Sequence, residues 1–377
     1  MTQTSLGSIT RRRAAVLVSA LTGVVLLAGC GSSSPSGAAD PSTTASTGGG
    51  AVVSSSGGSG ASTSGASTAI NFLLGPGNES PLQELETQGL AAGIYADNGL
   101  APAFSTASNG GELASGLIGG SADFALLVPA AAIPLTQQGE CLQFLTGNNV
   151  PYLNLVSLPD FQPADPDAQF PESIKNLKGH TIGITSIGGS QSAILRSLLA
   201  QVGLQPTDIT EVAVGSPGTA VTALQERQID ILLAQPPAEE LLGEGGFKVI
   251  VPISGSPDSP IAGKVQSLFA TTCDYASAHP EVVKAFCTAQ QQVRNWALDP
   301  ANIGVIAGDL AKALNVDAAA AEAAWKKYVT GVWPESVAIT EDVWEAQKLW
   351  TGGDLPPYSD NVNADCQQAV AAAAGQA

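Results

Sequence analysis

From residue 69 onward, short apolar runs alternate with stretches in which apolar residues recur at helical spacing. Short apolar runs bounded by turn residues are typical of buried strands. In one helical stretch Ile194, Leu198 and Val202 share a face, and the pattern ends at Gly203, a common helix stop. This alternation predicts an α/β fold with largely parallel sheets. The strand candidates are INFLL, PAFST, DFALLV, LQFLTG, YLNLVSL, HTIGIT, ITEVAV, DILLAQ and FKVIVPI.

Two segments of the chain repeat the same order of elements. Residues 104–132 align without a gap to residues 211–239, and Asp123 then matches Asp230. Each segment reads as a strand, a turn of small residues, a helix, an aspartate, a strand and a proline. About 310 residues is also more than one hydrophobic core usually serves. The sequence therefore predicts two similarly built lobes.

The chain after residue 268 is mostly helical in pattern. A long helix is expected from Pro280, because Phe286, Val293 and Trp296 lie on one face of it and proline is favoured at a first helical position. All five tryptophans fall in this C-terminal region. We interpret them as residues of the core and of helix contacts, in preference to a ligand cage.

The N-terminus predicts export. Three arginines precede sixteen uncharged residues, and Cys30 follows them directly. This stretch is shorter than the ~20 residues of a membrane-spanning helix and is typical of a signal peptide. Its last four residues, LAGC, resemble a bacterial lipobox, so residues 1–29 are expected to be a lipoprotein signal peptide and Cys30 to carry a lipid. An ordinary secretory signal that ends at a chance cysteine is the alternative.

The next segment, residues 30–68, predicts a tether. After Cys30 it consists mainly of Ser, Gly, Thr and Ala, and it contains almost nothing that could form a core. Such a chain is flexible, with a root-mean-square reach of roughly 35 Å. It would hold a folded body away from a membrane.

The charge balance excludes one class of partner. Without the three arginines of the signal, the chain keeps 15 − 3 = 12 Lys and Arg against 33 Asp and Glu, a net charge of 12 − 33 = −21. A protein that coats nucleic-acid phosphates needs basic stripes, so no nucleic-acid partner is expected. The global charge does not determine the charge of a small ligand, because a local site can oppose it.

Four cysteines remain after Cys30. An even number in an exported chain favours two disulfides, for which three pairings are possible. We expect Cys273 to pair with Cys287 and Cys141 with Cys366. A metal site is not expected, because the chain has no CxxC pair and only two histidines.

Loops at the ends of the predicted strands are the candidate binding segments. In parallel α/β sheets, ligands bind beyond the carboxyl ends of the strands, where helix N-termini present free N–H groups. These segments are rich in glycine and hydroxyl groups and almost uncharged, which suits a small polar molecule held by hydrogen bonds. They read GPGNES from Gly75, SNGG from Ser108, TSIGGS from Thr185, SPG from Ser216, and QP from Gln235.

Catalytic motifs are missing from the sequence. GxSxG, HExxH and the phosphate-loop pattern GxxxxGK[ST] do not occur. A Ser-His-Asp site would need His180 or His279, but one opens a strand and the other precedes a helix. Asp123 and Asp230 lie at strand entrances, where turn capping is the expected role. The sequence therefore favours binding over catalysis.

The lipobox, the tether, the paired lobes and the runs LKGHTIGITSIGGSQSAILRSLLAQVGL and VAVGSPGTAVTALQERQIDILLAQPP together resemble the solute-binding lipoproteins of ABC importers. The nitrate, sulfonate and taurine branch, which includes binders of thiamine pyrimidine precursors, is the most similar. The resemblance implies a type II periplasmic-binding-protein fold with two βαβ lobes, two crossover strands and a helical C-terminal region. It implies that residues 69–155 and 268–377 form lobe one and that residues 156–267 form lobe two.

The same resemblance implies a set of ligand contacts in the cleft loops. Two departures leave the ligand open: apolar Val128 stands where a polar group is expected, and residues 158–172 read as a Pro/Asp-rich insertion near the hinge. The implied ligand-binding residues are Asn78, Ser80, Asn109, Gly110, Ser186, Gly189, Ser190, Ser216 and Gln235.

The implied function is capture of a small polar solute on the outer face of the cell membrane. The solute would be nitrate-, sulfonate- or taurine-like, or a thiamine pyrimidine precursor. The protein would be a lipid-anchored monomer without a cofactor or enzymatic activity, and it would deliver the solute to an ABC permease driven by an ATPase. A ligand-binding partner of a membrane sensor and an extracellular enzyme on the same fold are the alternatives.

Overall fold

The computed structural model of the protein describes residues 67–75, 85–254, 256–314 and 317–375. In these ranges the strands are β1 (Thr68–Leu74), β2 (Leu100–Thr106), β3 (Phe124–Leu127), β4 (Leu142–Gly147), β5 (Asn154–Ser157), β6 (Thr181–Ile184), β7 (Thr210–Ala213), β8 (Ile231–Ala234), β9 (Lys248–Val251) and β10 (Leu268–Thr272).

The α-helices between and after the strands are α1 (Leu85–Ala91), α2 (Ile94–Asp97), α3 (Gly110–Ile118), α4 (Pro129–Gln137), α5 (Ser190–Gln201), α6 (Pro217–Gln225), α7 (Ala238–Leu242), α8 (Cys273–Ala278), α9 (Pro280–Leu298), α10 (Ile303–Leu314), α11 (Ala318–Val332), α12 (Glu341–Glu345), α13 (Lys348–Thr351), α14 (Tyr358–Asn361) and α15 (Ala364–Ala374).

The strands form two five-stranded sheets of the same design. The first sheet has the order β2-β1-β3-β10-β4, and the second has the order β7-β6-β8-β5-β9. In each sheet the first three strands are parallel, and the fourth is antiparallel to both of its neighbours. Because β5 follows β4 and β10 follows β9, the chain crosses between the sheets twice. The predicted α/β fold is confirmed.

Helices of the C-terminal region cover the first sheet. Phe286 of α9 stacks on Phe124 of β3 with ring centroids 4.1 Å apart, and Trp325 and Trp333 join the same core. Each fully buried aromatic side chain stabilises the fold by roughly 2–3 kcal/mol relative to exposure. Trp344 and Trp350 are also buried, and the half-buried Trp296 packs against the same core as Phe286. The predicted packing role of the five tryptophans is therefore confirmed.

The second sheet has a core made mainly of aliphatic side chains. Ile194, Leu195, Leu198 and Leu199 on one face of α5 are all fully buried, and they pack with Ile182 of β6. The spacing of these residues gives the helix one apolar stripe, which matches the predicted pattern. This packing fixes the N-terminus of α5 at the end of β6.

The matched aspartates at the entrances of β3 and β8 have the same role. Asp123 Oδ2 accepts a hydrogen bond from the backbone N–H of Asn71 at 2.7 Å, and Asp230 Oδ2 accepts one from Thr181 at 2.9 Å. Each carboxylate therefore binds the backbone of the central parallel strand of its sheet. These bonds support the structural role predicted for the two residues.

The expected disulfide pairing is wrong. The structure joins Cys141 to Cys273 and Cys287 to Cys366. Cys141 precedes β4 and Cys273 follows β10, and these antiparallel neighbours place Leu142 opposite the last residue of β10. The second disulfide joins α9 to α15, which pack side by side. Strand pairing and helix packing bring these cysteines together, and proximity in sequence does not.

Residues 1–66 lie outside the described residues, and with them the predicted signal peptide, Cys30 and almost all of the predicted tether. No helix in the described ranges combines the length and the hydrophobicity that a membrane-spanning segment requires.

Candidate functional site

A cleft opens between the loops of the two sheets, beyond the carboxyl ends of their parallel strands. Its volume is about 100 Å³. One water needs roughly 10–15 Å³ of such space, so the cleft holds a ligand of up to roughly ten non-hydrogen atoms. The residues that line the cleft are Gly75, Gly110, Leu113, Leu126, Val128, Asn149, Thr185, Ser186, Gly189, Ser190, Gln191, Gln235, Gln266 and Ser267.

The loop after β6 is held in place by side chains of the helix that follows it. Thr185 N–H donates to Gln191 Oε1 at 2.8 Å, and Gly188 N–H donates to Ser192 Oγ at 2.9 Å. The Ser192 hydroxyl in turn donates to Glu211 Oε2 on β7 at 2.6 Å. Gly188 has a φ of +78°, a conformation that favours glycine. These bonds fix the loop before any ligand binds.

The same loop delivers the free N-terminus of α5 to the cleft. The N-cap residue is Gly189, and no side chain caps the helix. The first N–H groups of a helix have no partner inside it, and they carry partial positive charge. A Cβ on Gly189 would lie 2.8 Å from Ser186 Oγ, so a side chain here would displace the Ser186 hydroxyl. The arrangement presents N–H donors and the hydroxyls of Ser186 and Ser190 to a ligand.

The two connections between the sheets pair with each other beside the cleft. Asn148 N–H donates to the carbonyl of Ser267 at 2.9 Å, and Gln266 N–H donates to the carbonyl of Asn149 at 2.8 Å. Asn149, Gln266 and Ser267 also line the cleft. The base of the cleft is therefore built from the segments that join the two sheets.

Side-chain amides connect this base to the second sheet. Gln266 Nε2 donates to Ser190 Oγ at 2.6 Å, and Gln191 Nε2 donates to Gln235 Oε1 at 3.2 Å. The first bond joins a connecting segment to the first residue of α5. The second joins α5 to the residue after β8. Both bonds orient polar groups that line the cleft.

Asn149 adds a further amide to the lining of the cleft. The residue is 6% exposed and lies in the segment that joins β4 to the second sheet. Since Asn149 lines the cleft, its amide is within reach of a solute there. The buried amide that lacks a partner among the described residues belongs to its neighbour, Asn148 Nδ2.

The first sheet contributes a helix N-terminus that is already capped. Asn109 Oδ1 accepts hydrogen bonds from Gly111 N–H and Glu112 N–H, both at 3.0 Å. Glu112 Oε2 accepts from Ser108 N–H at 2.7 Å, which places a carboxylate beside the first turn of α3. These groups satisfy most of the donors of α3 and offset its positive end. Gly110 is the residue of this turn that lines the cleft.

The other described side chains of this wall are apolar. Half-buried Val128 is the N-cap of α4, and Leu113 and Leu126 lie beside it in the cleft lining. Pro129 follows Val128 at the first helical position and has no N–H to donate. A Cβ on Gly110 would lie 3.1 Å from a methyl of Val128, which shows how closely α3 and α4 approach.

The described residues that line the cleft include no Asp, Glu, Lys, Arg or His. No group of three or more metal-ligating side chains occurs among the described residues. The cleft can therefore bind by hydrogen bonds, helix-end charge and apolar contact. A general acid or base would have to come from elsewhere.

A buried arginine supports the connection between β4 and β5. Arg294 Nη2 donates to the carbonyl of Asn148 at 2.8 Å, Nη1 donates to the carbonyl of Pro334 at 2.6 Å, and the guanidinium lies 5.0 Å from the ring of Trp333. Burial lowers the pKa of Arg294 to about 10, although nearby Glu86 acts in the opposite direction. The arginine stays charged at neutral pH and holds the residue before Asn149.

An ion cluster joins α11 to the helix that follows Gln235. Lys327 Nζ lies 3.0 Å from Glu239 Oε2 and 3.0 Å from Glu240 Oε1, and the Tyr328 hydroxyl donates to Glu240. Asn154 Nδ2 donates to Glu239 Oε1 at 2.9 Å. Partial burial alone would lower the pKa of Lys327, but the two glutamates raise it above its ordinary value. This cluster connects the C-terminal helices to the second sheet.

The structure brings together five of the nine residues predicted to contact ligand. Asn109 caps α3, Ser216 is the N-cap of α6, and neither lines the cleft. Asn78 and Ser80 lie outside the described residues. The predicted residues that line the cleft are Gly110, Ser186, Gly189, Ser190 and Gln235.

Sequence reasoning missed the polar residues at the base of the cleft. Asn149 follows β4 and so stands at the carboxyl end of a strand, a signal that could have identified it. Gln191 directly follows the predicted loop TSIGGS, and Gln266 and Ser267 lie in a segment without a recognisable motif. Their position depends on the pairing of the two connections.

Comparison with protein families identifies the chain. Residues 88–311, more than half of the sequence, match the model of the NMT1-like family. The chain belongs to the NMT1-like family. The sequence-based expectation of that family is thereby confirmed. No curated protein matches the chain.

Several solved structures that share this fold are periplasmic binding proteins. A protein from Bordetella bronchiseptica RB50 has a TM-score of 0.64 at 22% identity, covering 80% of this chain and 96% of that one. The aliphatic sulphonate binding protein SsuA of Escherichia coli has a TM-score of 0.56 at 16% identity, covering 75% and 85%. The nitrate-binding protein NrtA of Synechocystis PCC 6803 has a TM-score of 0.53 at 16% identity, covering 67% and 69%. The periplasmic-binding-protein fold predicted for this NMT1-like protein is thereby confirmed.

Proposed function

We propose that this NMT1-like protein is the extracytoplasmic solute-binding component of an ABC importer. The observation that carries the proposal is the cleft, which lies between two sheets and has an uncharged polar wall that includes the amide of Asn149. The similarity to proteins named as sulphonate- and nitrate-binding supports the same conclusion. A cleft of this kind binds a small polar solute by hydrogen bonds. Its described lining offers no titratable side chain that could act as a general acid or base.

Capture would proceed by closure of two lobes. Residues 69–155 and 268–377 would form lobe one, and residues 156–267 would form lobe two. A ligand that contacts both lobes only in the closed state favours that state by its differential binding energy. Asn149 and Gln266 support this mechanism, because they line the cleft and lie in the segments that would act as the hinge.

The closed form would then dock on a membrane permease that an ATPase subunit drives. The protein would act as a monomer at the outer face of the cell membrane, held by a lipid on Cys30 and by the tether of residues 31–68. It would need no cofactor and would not be an enzyme. A role as ligand-binding partner of a membrane sensor uses the same closure and is the alternative; an uptake assay in cells that lack the protein separates the two.

A ligand screen tests the proposal. The full chain is heated with a fluorescent reporter of unfolding in the presence of nitrate, alkanesulfonates, taurine, carboxylates, amino acids and pyrimidines. A true ligand at 100 times its Kd stabilises the folded state by about 2.7 kcal/mol. We expect at least one small polar compound to raise the melting temperature. A panel without any responder would contradict the solute-binding function.

Labelling of cells with a fatty-acid analogue tests the anchor. We expect the protein to incorporate the label and Cys30→Ser to lose it. An unlabelled parent protein would contradict the lipid anchor and leave solute binding to be judged by the screen.

A further inference from the structure

The ion cluster between α7 and α11 connects the half of the molecule built around the first sheet to the half built around the second. Its members are Glu239, Glu240, Lys327 and Tyr328. Tyr328 is buried in a core of the first sheet, whereas Ala238 at the start of α7 packs in a core of the second sheet. Every other ion pair among the described residues joins groups of the same half. Among these residues, Lys327 is therefore the cation that ties one half to the other.

Glu239 is anchored to the second sheet. Its side chain is 9% exposed, and its Oε1 accepts a hydrogen bond from Asn154 Nδ2 at 2.9 Å. Asn154 begins β5, and its Oδ1 accepts a hydrogen bond from the backbone N–H of Ile253 at 3.1 Å. These bonds lie within one half and do not depend on Lys327. A movement of the two halves relative to each other would therefore break the ion pair and leave Glu239 with the second sheet.

Lys327 is anchored on the other side, beside one of the connections between the sheets. Its Nζ donates to the Tyr328 hydroxyl at 2.9 Å and lies 4.7 Å from the centroid of that ring. Tyr152 lies in the connection between β4 and β5, and its ring centroid is 4.6 Å from that of Tyr328. The cation therefore sits next to a segment that would act as the hinge.

Helix α7 also links the ion cluster to the cleft. Gln235 lines the cleft, and its backbone carbonyl accepts a hydrogen bond from Ala238 N–H at 2.8 Å. The Gln235 side chain accepts a second hydrogen bond from Gln191, which also lines the cleft. Glu239 and Glu240 follow Ala238 directly. The ion cluster thus occupies one end of a segment whose other end forms part of the cleft wall.

Electrostatics give the direction of the effect. Lys327 Nζ lies 3.0 Å from a carboxylate oxygen of each glutamate, and the other oxygen of Glu240 is buried without a partner among the described residues. Without the cation, two adjacent carboxylates would be left with uncompensated charge, and separation of the two halves would return them to water. The ion cluster therefore favours the close approach of the halves. Salt weakens this contribution, because the Lys327 side chain is 41% exposed.

We propose that the ion cluster is an inter-lobe latch, which favours the close approach of the two lobes and so raises the affinity of the cleft without contacting the solute. Lys327 is a positioning residue in this account, because neither it nor either glutamate lines the cleft. The inference rests on the closure of two lobes in the proposed function, and it names the residues that control this closure.

Small-angle X-ray scattering of the full chain without solute tests the latch. Lys327→Met should raise the radius of gyration, because the lobes separate; the tether is the same in each variant. This difference from the parent protein should shrink when NaCl is raised from about 0.02 M to about 1 M. Lys326→Met is the matched control, because Lys326 pairs with Glu322 of the same helix, and it should behave as the parent does.

Calorimetric titration tests the consequence for binding. The probes are the compounds of the nitrate, sulfonate, carboxylate, amino-acid and pyrimidine panel that raise the melting temperature. In Lys327→Met the Kd should increase about threefold to tenfold, by the same factor for each compound, because affinity falls with the fraction of binding-competent molecules. Lys327→Arg keeps the charge and should restore the parent affinity. Glu240→Gln keeps the pair of Lys327 with Glu239 and should show a smaller change in both measurements.

The outcomes separate the latch from the function on which it rests. An unchanged radius of gyration in both Lys327→Met and Glu240→Gln would overturn the latch and leave solute binding intact. Factors that differ more than about threefold between compounds would also overturn it, because a shift in lobe closure alone scales every affinity equally. A panel without any responder would contradict the solute-binding function, and the scattering would still decide on the latch. If Lys327→Met does not fold, Glu240→Gln decides.

Discussion

Replacement of Glu86 by glutamine removes a buried carboxylate from the helix that packs beside Arg294. Glu86 is 2% exposed, and its Oε2 has no hydrogen-bond partner among the described residues. Burial raises the pKa of Glu86 from 4.5 to about 7, although a backbone hydrogen bond and the nearby charge of Arg294 lower it. Between these two pH values the folded protein therefore keeps a proton that the unfolded chain releases.

The sign and size of the effect follow from linkage. The two pKa values differ by 7 − 4.5 = 2.5 units, and each unit corresponds to about 1.4 kcal/mol. The stabilisation that this group contributes is complete below the unfolded value of 4.5, decreases as the pH rises through about 7, and is then lost. Relative to Glu86→Gln, the parent protein should lose about 3 kcal/mol of unfolding free energy across this range.

The assay is guanidinium unfolding of the full chain, followed by tryptophan fluorescence at several pH values from about 4.5 to about 8. Glu86→Gln should equal the parent protein at the acid end and exceed it by about 3 kcal/mol at the alkaline end. Glu140→Gln is the control, because Glu140 is exposed and its curve should stay parallel to that of the parent. Parallel curves for Glu86→Gln would refute the reasoning.

Three further predictions concern the ion cluster and the cleft. Lys327→Met should lower the free energy of unfolding by about 1–2 kcal/mol in the same assay, because the nearly buried Glu239 carboxylate loses its cation. This loss is smaller than that for a fully buried ion pair, since the Lys327 side chain is 41% exposed. Gly189→Ala should weaken binding of the solute found by the thermal screen at least about tenfold by calorimetry, because the new Cβ would lie 2.8 Å from Ser186 Oγ and displace this hydroxyl of the cleft lining, and unchanged affinity would contradict the assigned role of the loop. If the solute found by the screen does not itself titrate between roughly pH 5.5 and 8.5, its affinity should vary less than about threefold over that range, since no titratable described side chain lines the cleft, and a larger change would indicate a charged contact.

The fold follows closely from the pattern of apolar residues. The strands β6 and β8, for example, are short apolar runs whose residues are almost all buried. In an α/β fold such runs form the interior strands of a sheet. The disulfides could not be predicted in the same way. Cys141 and Cys273 are 132 residues apart, and they meet because β10 returns to the first sheet after the whole second sheet has been built. Long-range strand order, which local sequence does not encode, determines that pairing.

The site was predictable where it depends on local structure. Ser186, Gly189 and Ser190 follow a strand and begin a helix, and such loops lie at the carboxyl edge of a parallel sheet. Asn149 and Gln266 are different, because the hydrogen bond between their backbones joins segments 117 residues apart (266 − 149). Their place in the cleft depends on two crossings of the chain meeting side by side, which local sequence does not show.

Hydrogen exchange with and without ligand tests the central claim most directly, which is that a solute binds between the two lobes. The probe is the compound that gives the largest rise in melting temperature in the ligand screen, at a concentration well above its Kd. Exchange should slow together at Gly110–Leu113 on the first sheet's side, at residues 185–191 on the second, and at residues 148–150 in the hinge, with α10 unchanged. Protection of one wall alone, or protection elsewhere such as around Trp296 of α9, would contradict capture between the lobes.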